Sequence, residues 1–163
     1  MSKIKPNVFS EFGELKEIII GSAKNARVPS IGDKCLHCID YAHLSDDEFQ
    51  KRPHGLYPQH LIDETNEDLD EIAFKLKSMD IVVHRPLDRD FSELNGNEYW
   101  KADGYYNYCP RDSMFVVQDK VLATPMTLRH RQFEAETCKP LFDEKYWFDA
   151  PKPKLLDSIY QRD

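Results

Sequence analysis

Residues 58–79 constrain the fold more than any other stretch. Leu61, Ile62, Thr65, Leu69, Ile72, Ala73, Leu76 and Met79 recur at three- and four-residue spacing. That spacing predicts one apolar stripe along a single helix. Asp63 and Glu64 sit near its start, and Lys75 and Lys77 near its end. This distribution suits the helix dipole, and Glu71 with Lys75 adds a favourable i,i+4 pair. Short β-branched runs flank the helix: "LKEIIIG" (15–21), ended by glycine, and "IVVHRP" (81–86), stopped by Pro86. Both read as buried strands. Strand, connection, helix and strand form one crossover unit, which implies neighbouring or parallel strands in a mixed α/β domain.

The remainder is less periodic. Residues 22–56 contain Pro29, Gly32, Pro53 and Gly55 and predict a long irregular connection, of the kind that often covers a site. "SMFVV" (113–117) and "VLAT" (121–124) flank "QDK" as a β-hairpin. Residues 128–139 predict a helix ended by Pro140, and 154–161 a final helix after "APKP". With no break in composition, 1–163 is expected to be a single domain, long enough to bury a core. The net charge of −7 argues against nucleic acid and anionic membranes as partners. No run approaches the roughly 18 apolar residues of a bilayer span. The N-terminus lacks the apolar core of a secretory signal, so the expected location is cytoplasmic. The four cysteines are then expected as thiols rather than a disulfide framework.

Three groups invite chemistry. "CLHC" (35–38) with His37 and His43 offers half of a tetrahedral zinc site, but Cys109 and Cys138 are not spaced as a second pair. Ordinary loop residues and no metal are expected. Cys109 needs a depressed pKa to act as a nucleophile. It precedes Pro110 and reads as the approach to a strand, so a buried structural thiol is expected. Asp112 stands immediately before an apolar strand, where sites in α/β folds form, although turn and capping roles also suit it. Arg129, Arg131 and Glu134 in "LRHRQFE" fit either a solvated helical face or a charged network. Tyr105, Tyr106 and Tyr108 read as packing groups.

The order "FGELKEIIIG", "YPQHLIDETNEDLDEIAFKLKSMDIVVHRP", "YYNYCPRDSMFVVQDKVLATPM", "RHRQFEAE" and "APKPKLLDSIY" resembles the amidinotransferase family, in its arginine:glycine and inosamine-phosphate branches. The likeness covers almost the whole chain apart from residues near 30–55. It implies a pentein, an α/β-propeller of ββαβ modules ringed around a central site, with the helix at 58–79 outside. The ring would be incomplete in this chain. It also implies amidino transfer from arginine to an amine acceptor such as glycine, with no metal or organic cofactor. A cysteine thiolate attacks the guanidinium carbon, a histidine moves protons, and aspartates hold the guanidinium. Guanidinium is planar, permanently charged and forked, and a carboxylate matches it in bidentate fashion.

"CPRD" matches the family segment whose aspartate contacts the guanidinium, so the resemblance assigns Asp112 to substrate. Arg129, Arg131 and Glu134 are further substrate-binding candidates. Cys109 does not match the family nucleophile. The resemblance puts the nucleophilic cysteine, the catalytic histidine and a second aspartate downstream of "APKPKLLDSIY", so no catalytic group is expected within this chain. The expected protein is a transferase in truncated or split form, inactive alone. Its expected partners are arginine or another guanidino compound, and a second polypeptide or a second copy completing the ring. The alternatives are a non-catalytic guanidinium-binding or regulatory module and a degenerate relic.

Overall fold

Two parallel strands and the helix between them organise the first half of the molecule. The structure, a computed structural model, describes residues 3–32 and 34–151. In chain order the elements begin with β1 (Glu17–Ile19), β2 (Arg27–Val28), α1 (Lys34–Asp40), α2 (Asp46–Gln50), β3 (Gly55–Leu56), α3 (Gln59–Lys77) and β4 (Val82–His84). They continue with β5 (Asn95–Gly96), β6 (Lys101–Ala102), α4 (Pro110–Ser113), β7 (Met114–Val117), β8 (Lys120–Ala123) and β9 (Trp147–Asp149). The expected final helix at 154–161 lies outside the described residues. Among those described, no helix is long and apolar enough to cross a membrane.

β1 pairs in parallel with β4, Ile18 opposite Val83, and α3 makes the crossover between them. The crossover unit is therefore as expected, but its buried stripe is narrower. α3 buries Ile62 and Ala73 and half-buries Leu69 and Leu76, while Leu61, Ile72 and Met79 stay exposed. The stretch 22–56 differs from the irregular connection expected. It carries α1, α2 and the antiparallel pair β2–β3. α2 starts at Ser45, whose side chain accepts from the Glu48 amide while Glu48 reaches back to the Ser45 backbone, a complete capping box.

The second half centres on the sheet β7–β8–β9, in which β7–β8 is antiparallel and β8–β9 parallel. Its inner face packs Met114, Val121, Ala123 and Trp147 against Ile4, Ala135, Cys138, Leu141 and Phe142. On the outer face the register aligns Phe115, Leu122 and Phe148 in one row, and all three are exposed. A second core gathers Cys35, Leu36 and Phe49 from α1 and α2 around Tyr105 and Leu128. The two halves meet where Ser22 bridges to Asn107. Gly21 lets the chains approach there: a Cβ on it would lie 2.3 Å from the Tyr108 carbonyl oxygen. This contact fixes residues 105–109 against the end of β1 and so aims the segment that follows.

Residues 128–139, expected as one helix, form separate 3-10 turns at Arg129–Arg131 and Glu134–Thr137, with a third at Lys139–Leu141. Side-chain bonds divide them. Gln132 donates to the Met126 carbonyl, and Thr137 donates to the Glu134 carbonyl at 2.7 Å. His130 is drawn inward, its Nδ1 lying 3.0 Å from the Asp103 carbonyl oxygen. Such local bonds compete with continuous α-helix.

Candidate functional site

The site begins with the turn that precedes β7. Cys109 does not lead directly into a strand as expected; it is the N-cap of the short helix α4, with Pro110 in the first turn. Proline suits that position because its missing N–H would have no partner there. The Asp112 amide donates to the Cys109 carbonyl at 3.1 Å, and buried Ser113 donates to the Pro110 carbonyl at 3.1 Å. Thr124, just past β8, donates its hydroxyl to the Asp112 carbonyl at 3.3 Å and its amide to Ser113 at 3.0 Å. The backbone of Asp112 is thus tied down while its side chain remains 49 % exposed.

The 3-10 turns bring Arg131 and Glu134 to it. Arg131 Nε lies 2.9 and 3.0 Å from the two Glu134 carboxylate oxygens, and Nη2 donates to Glu134 Oε2 at 2.8 Å. The same Nη2 donates to Asp112 Oδ2 at 3.1 Å. Side-chain exposure is 1 % for Glu134 and 11 % for Arg131. The guanidinium also lies over the Tyr106 ring, 4.9 Å from its centroid, and Tyr106 stacks on Tyr108 at 4.2 Å. A cation over an aromatic face is held by the ring quadrupole.

Electrostatics follow from this packing. Burial lifts the Glu134 carboxyl to about 7, while the bonds from Arg131 pull it back. Burial opposes the charge on Arg131, but its bonds to Glu134 outweigh that and hold the guanidinium above its ordinary value. Burial and the neighbouring Asp112 raise the Cys109 thiol, so the short helix does not turn it into a thiolate. Arg129 lies over the Trp100 ring at 5.8 Å.

Asp103 and His130 carry the platform beneath and were not singled out from the sequence. Asp103 Oδ2 accepts from the Ser30 amide and hydroxyl, each at 2.7 Å, and Arg27 lies 3.5 Å away. His130 Nδ1 is 3.4 Å from Asp103 Oδ1. Burial would raise the Asp103 carboxyl, but bonds from His130 and Ser30 hold it well below the usual carboxylate range. "ADG" (102–104) looks like a turn, so the signal for this buried acid lay only in its distant partners.

The "CLHC" stretch is α1, with Cys35 buried and Cys38 exposed. His37 Nε2 lies 2.9 Å from the Leu44 carbonyl oxygen, and its ring stacks on Phe49 at 4.4 Å. Among the described residues, no three histidine, cysteine or acidic side chains gather as a metal site.

No family model matches the chain. The chain is 38% identical to inosamine-phosphate amidinotransferase 1 of Streptomyces griseus over 94% of its own length and 45% of that relative's. It is 30% identical to an L-arginine:L-lysine amidinotransferase of Pseudomonas savastanoi pv. phaseolicola, over 93% of its length and 43% of the relative's. The solved inosamine-phosphate amidinotransferase from Streptomyces griseus superposes with a TM-score of 0.84 at 35% identity, covering 94% of this chain and 45% of that one. The resemblance to amidinotransferases therefore holds in both sequence and fold. The chain spans less than half the length of these relatives.

Proposed function

We propose that this chain is the guanidinium-holding portion of an amidinotransferase, a partial pentein in which Asp112 grips arginine or another guanidino compound. One observation carries the reading. Asp112 is a half-exposed carboxylate with a tethered backbone, and one oxygen is held by a single donor from Arg131. An ionised carboxylate offers about four lone-pair positions, so most of its capacity remains for a forked donor. Pairing of that kind fixes the guanidinium plane and carbon for attack by a nucleophile.

In this reading the attacking thiolate and the proton-moving histidine come from polypeptide outside residues 1–163, on the same chain or another. Cys109 is the cysteine beside Asp112, and its raised pKa suits packing rather than attack. Cys35 and Cys138 are buried. The exposed row Phe115, Leu122 and Phe148 supports a further element of the same fold covering the outer face of the β7–β8–β9 sheet.

Titration calorimetry with L-arginine tests the clamp. The chain alone is expected to bind in the millimolar range, about 4 kcal/mol, and Asp112→Asn to abolish the heat. Equal affinities in the two proteins, or no binding by the wild type, would overturn the assignment.

A further inference from the structure

We infer that Glu134 and Arg131 are positioning residues that act on a bound guanidinium through Asp112: Arg131 orients the carboxylate, and Glu134 cancels the charge of Arg131. The inference rests on the reading of Asp112 as the clamp and says how that clamp keeps its charge.

An arginine beside a cation-binding carboxylate is a problem as well as a support. Alone, Arg131 would neutralise Asp112 and repel an incoming guanidinium. The geometry removes the conflict. Glu134 takes the Nε–Nη2 edge of Arg131 in a fork with contacts of 2.8 to 3.0 Å, leaving the second Nη2 hydrogen for Asp112. Two carboxylates and one guanidinium sum to one negative charge. The buried end of the chain is Glu134, so the surplus is presented where Asp112 meets solvent. At 1 % side-chain exposure Glu134 reaches no ligand itself.

The same arrangement makes the clamp sensitive to the proton on Glu134. When Glu134 is neutral the cluster carries no net charge, and a cation gains little from it. The groups facing Glu134 are Arg131 on its own segment, Asp112 from α4, and Tyr106, whose backbone amide donates to it. Tyr108 stacks on Tyr106 from the same stretch. Arg89, Asp103 and His130 lie with Glu134 around one small cavity, and Asp103 and His130 engage each other there. Burial, which places the Glu134 carboxyl near 7, puts the transition in the neutral range.

The test is arginine affinity by calorimetry from about pH 6 to about pH 8.5 for wild type, Glu134→Gln and Asp112→Asn. Wild-type affinity is expected to rise about tenfold across the range. Glu134→Gln is expected to bind at the weak acid-side level of the wild type with a flat profile. A structural loss alone would lower affinity without changing that slope. A flat wild-type profile, which needs no variant, overturns the inference. So does a Glu134→Gln profile that still rises. If Asp112→Asn binds like wild type, or wild type does not bind, the clamp itself is wrong and the inference falls with it. If Asp112→Asn loses binding while Glu134→Gln behaves as wild type, only the inference fails.

Discussion

Replacing Asp103 by asparagine tests the platform under the site. The side chain is 1 % exposed, and its carboxylate accepts two 2.7 Å bonds from Ser30. Arg27, 13 % exposed, sits 3.5 Å away, and His130 Nδ1 lies 3.4 Å from the other oxygen. Asparagine keeps the shape and one acceptor. Its amide is best turned from Ser30, which presents it to the His130 side and leaves Arg27 without its charge partner. Removing one member of a buried ion pair costs about 3–5 kcal/mol. The retained bonds to Ser30 return part of that, so the expected loss is about 3 kcal/mol.

Urea unfolding followed by fluorescence of Trp100 and Trp147 measures it. At a slope of about 1–3 kcal/mol per molar, the midpoint should fall by at least 1 M, with the slope unchanged. The sign with pH follows from the direction of the shift. Asp103 has a folded pKa below its unfolded value, so its contribution is complete above the ordinary carboxylate value of about 4. It is lost as pH falls through the folded value. The gap between wild type and variant should therefore be full at pH 7 and close only in strong acid. A gap under about 1 kcal/mol at pH 7 would show that Ser30 and His130 hold this region without the charge.

Two further outcomes are expected. Gly21→Ala places a Cβ 2.3 Å from the Tyr108 carbonyl oxygen and 2.4 Å from its carbonyl carbon and Cα, all backbone atoms. The loss should be about 3 kcal/mol, and an unchanged Tm would mean that the 105–109 segment is not fixed by this contact. Iodoacetamide labelling at pH 7, read by peptide mass, should modify exposed Cys38 ahead of Cys109, with buried Cys35 and Cys138 reacting only after denaturation. Labelling of Cys109 first would contradict its raised pKa.

The crossover unit was legible because α3 spans 19 residues, long enough for a three- and four-residue spacing to stand out. The same spacing did not separate two adjacent stripes, so exposed Leu61 and Ile72 were counted with buried Ile62 and Ala73. α1 and α2, of 7 and 5 residues, are too short for periodicity to speak. The Ser45–Glu48 capping box that starts α2 went unread in the sequence. The segment 128–139 misled for a different reason. An i,i+3 pair such as Arg131 and Glu134 faces in the same direction on an α-helix and on a 3-10 turn, so the sequence pattern serves both.

Asp112, Arg131 and Glu134 were all candidates in the sequence, but the contacts that join them were not legible there. Arg131 is 19 residues from Asp112 and joins it through folding alone. Exposure falls from 49 % at Asp112 to 11 % at Arg131 and 1 % at Glu134, so signs alternate while solvent recedes. A buried lone arginine or a buried lone glutamate would each cost several kcal/mol in desolvation. Joined by a fork, they stabilise each other and leave the outer carboxylate with a single donor from Arg131. Two charges must be hidden for one to be offered, and no local pattern records which of the three faces outward. That ordering comes from Gly21 seating residues 105–109 and from Asp103 seating His130 beside Arg131. The platform residues are thus the part of the site whose substitution should reach a ligand they never touch.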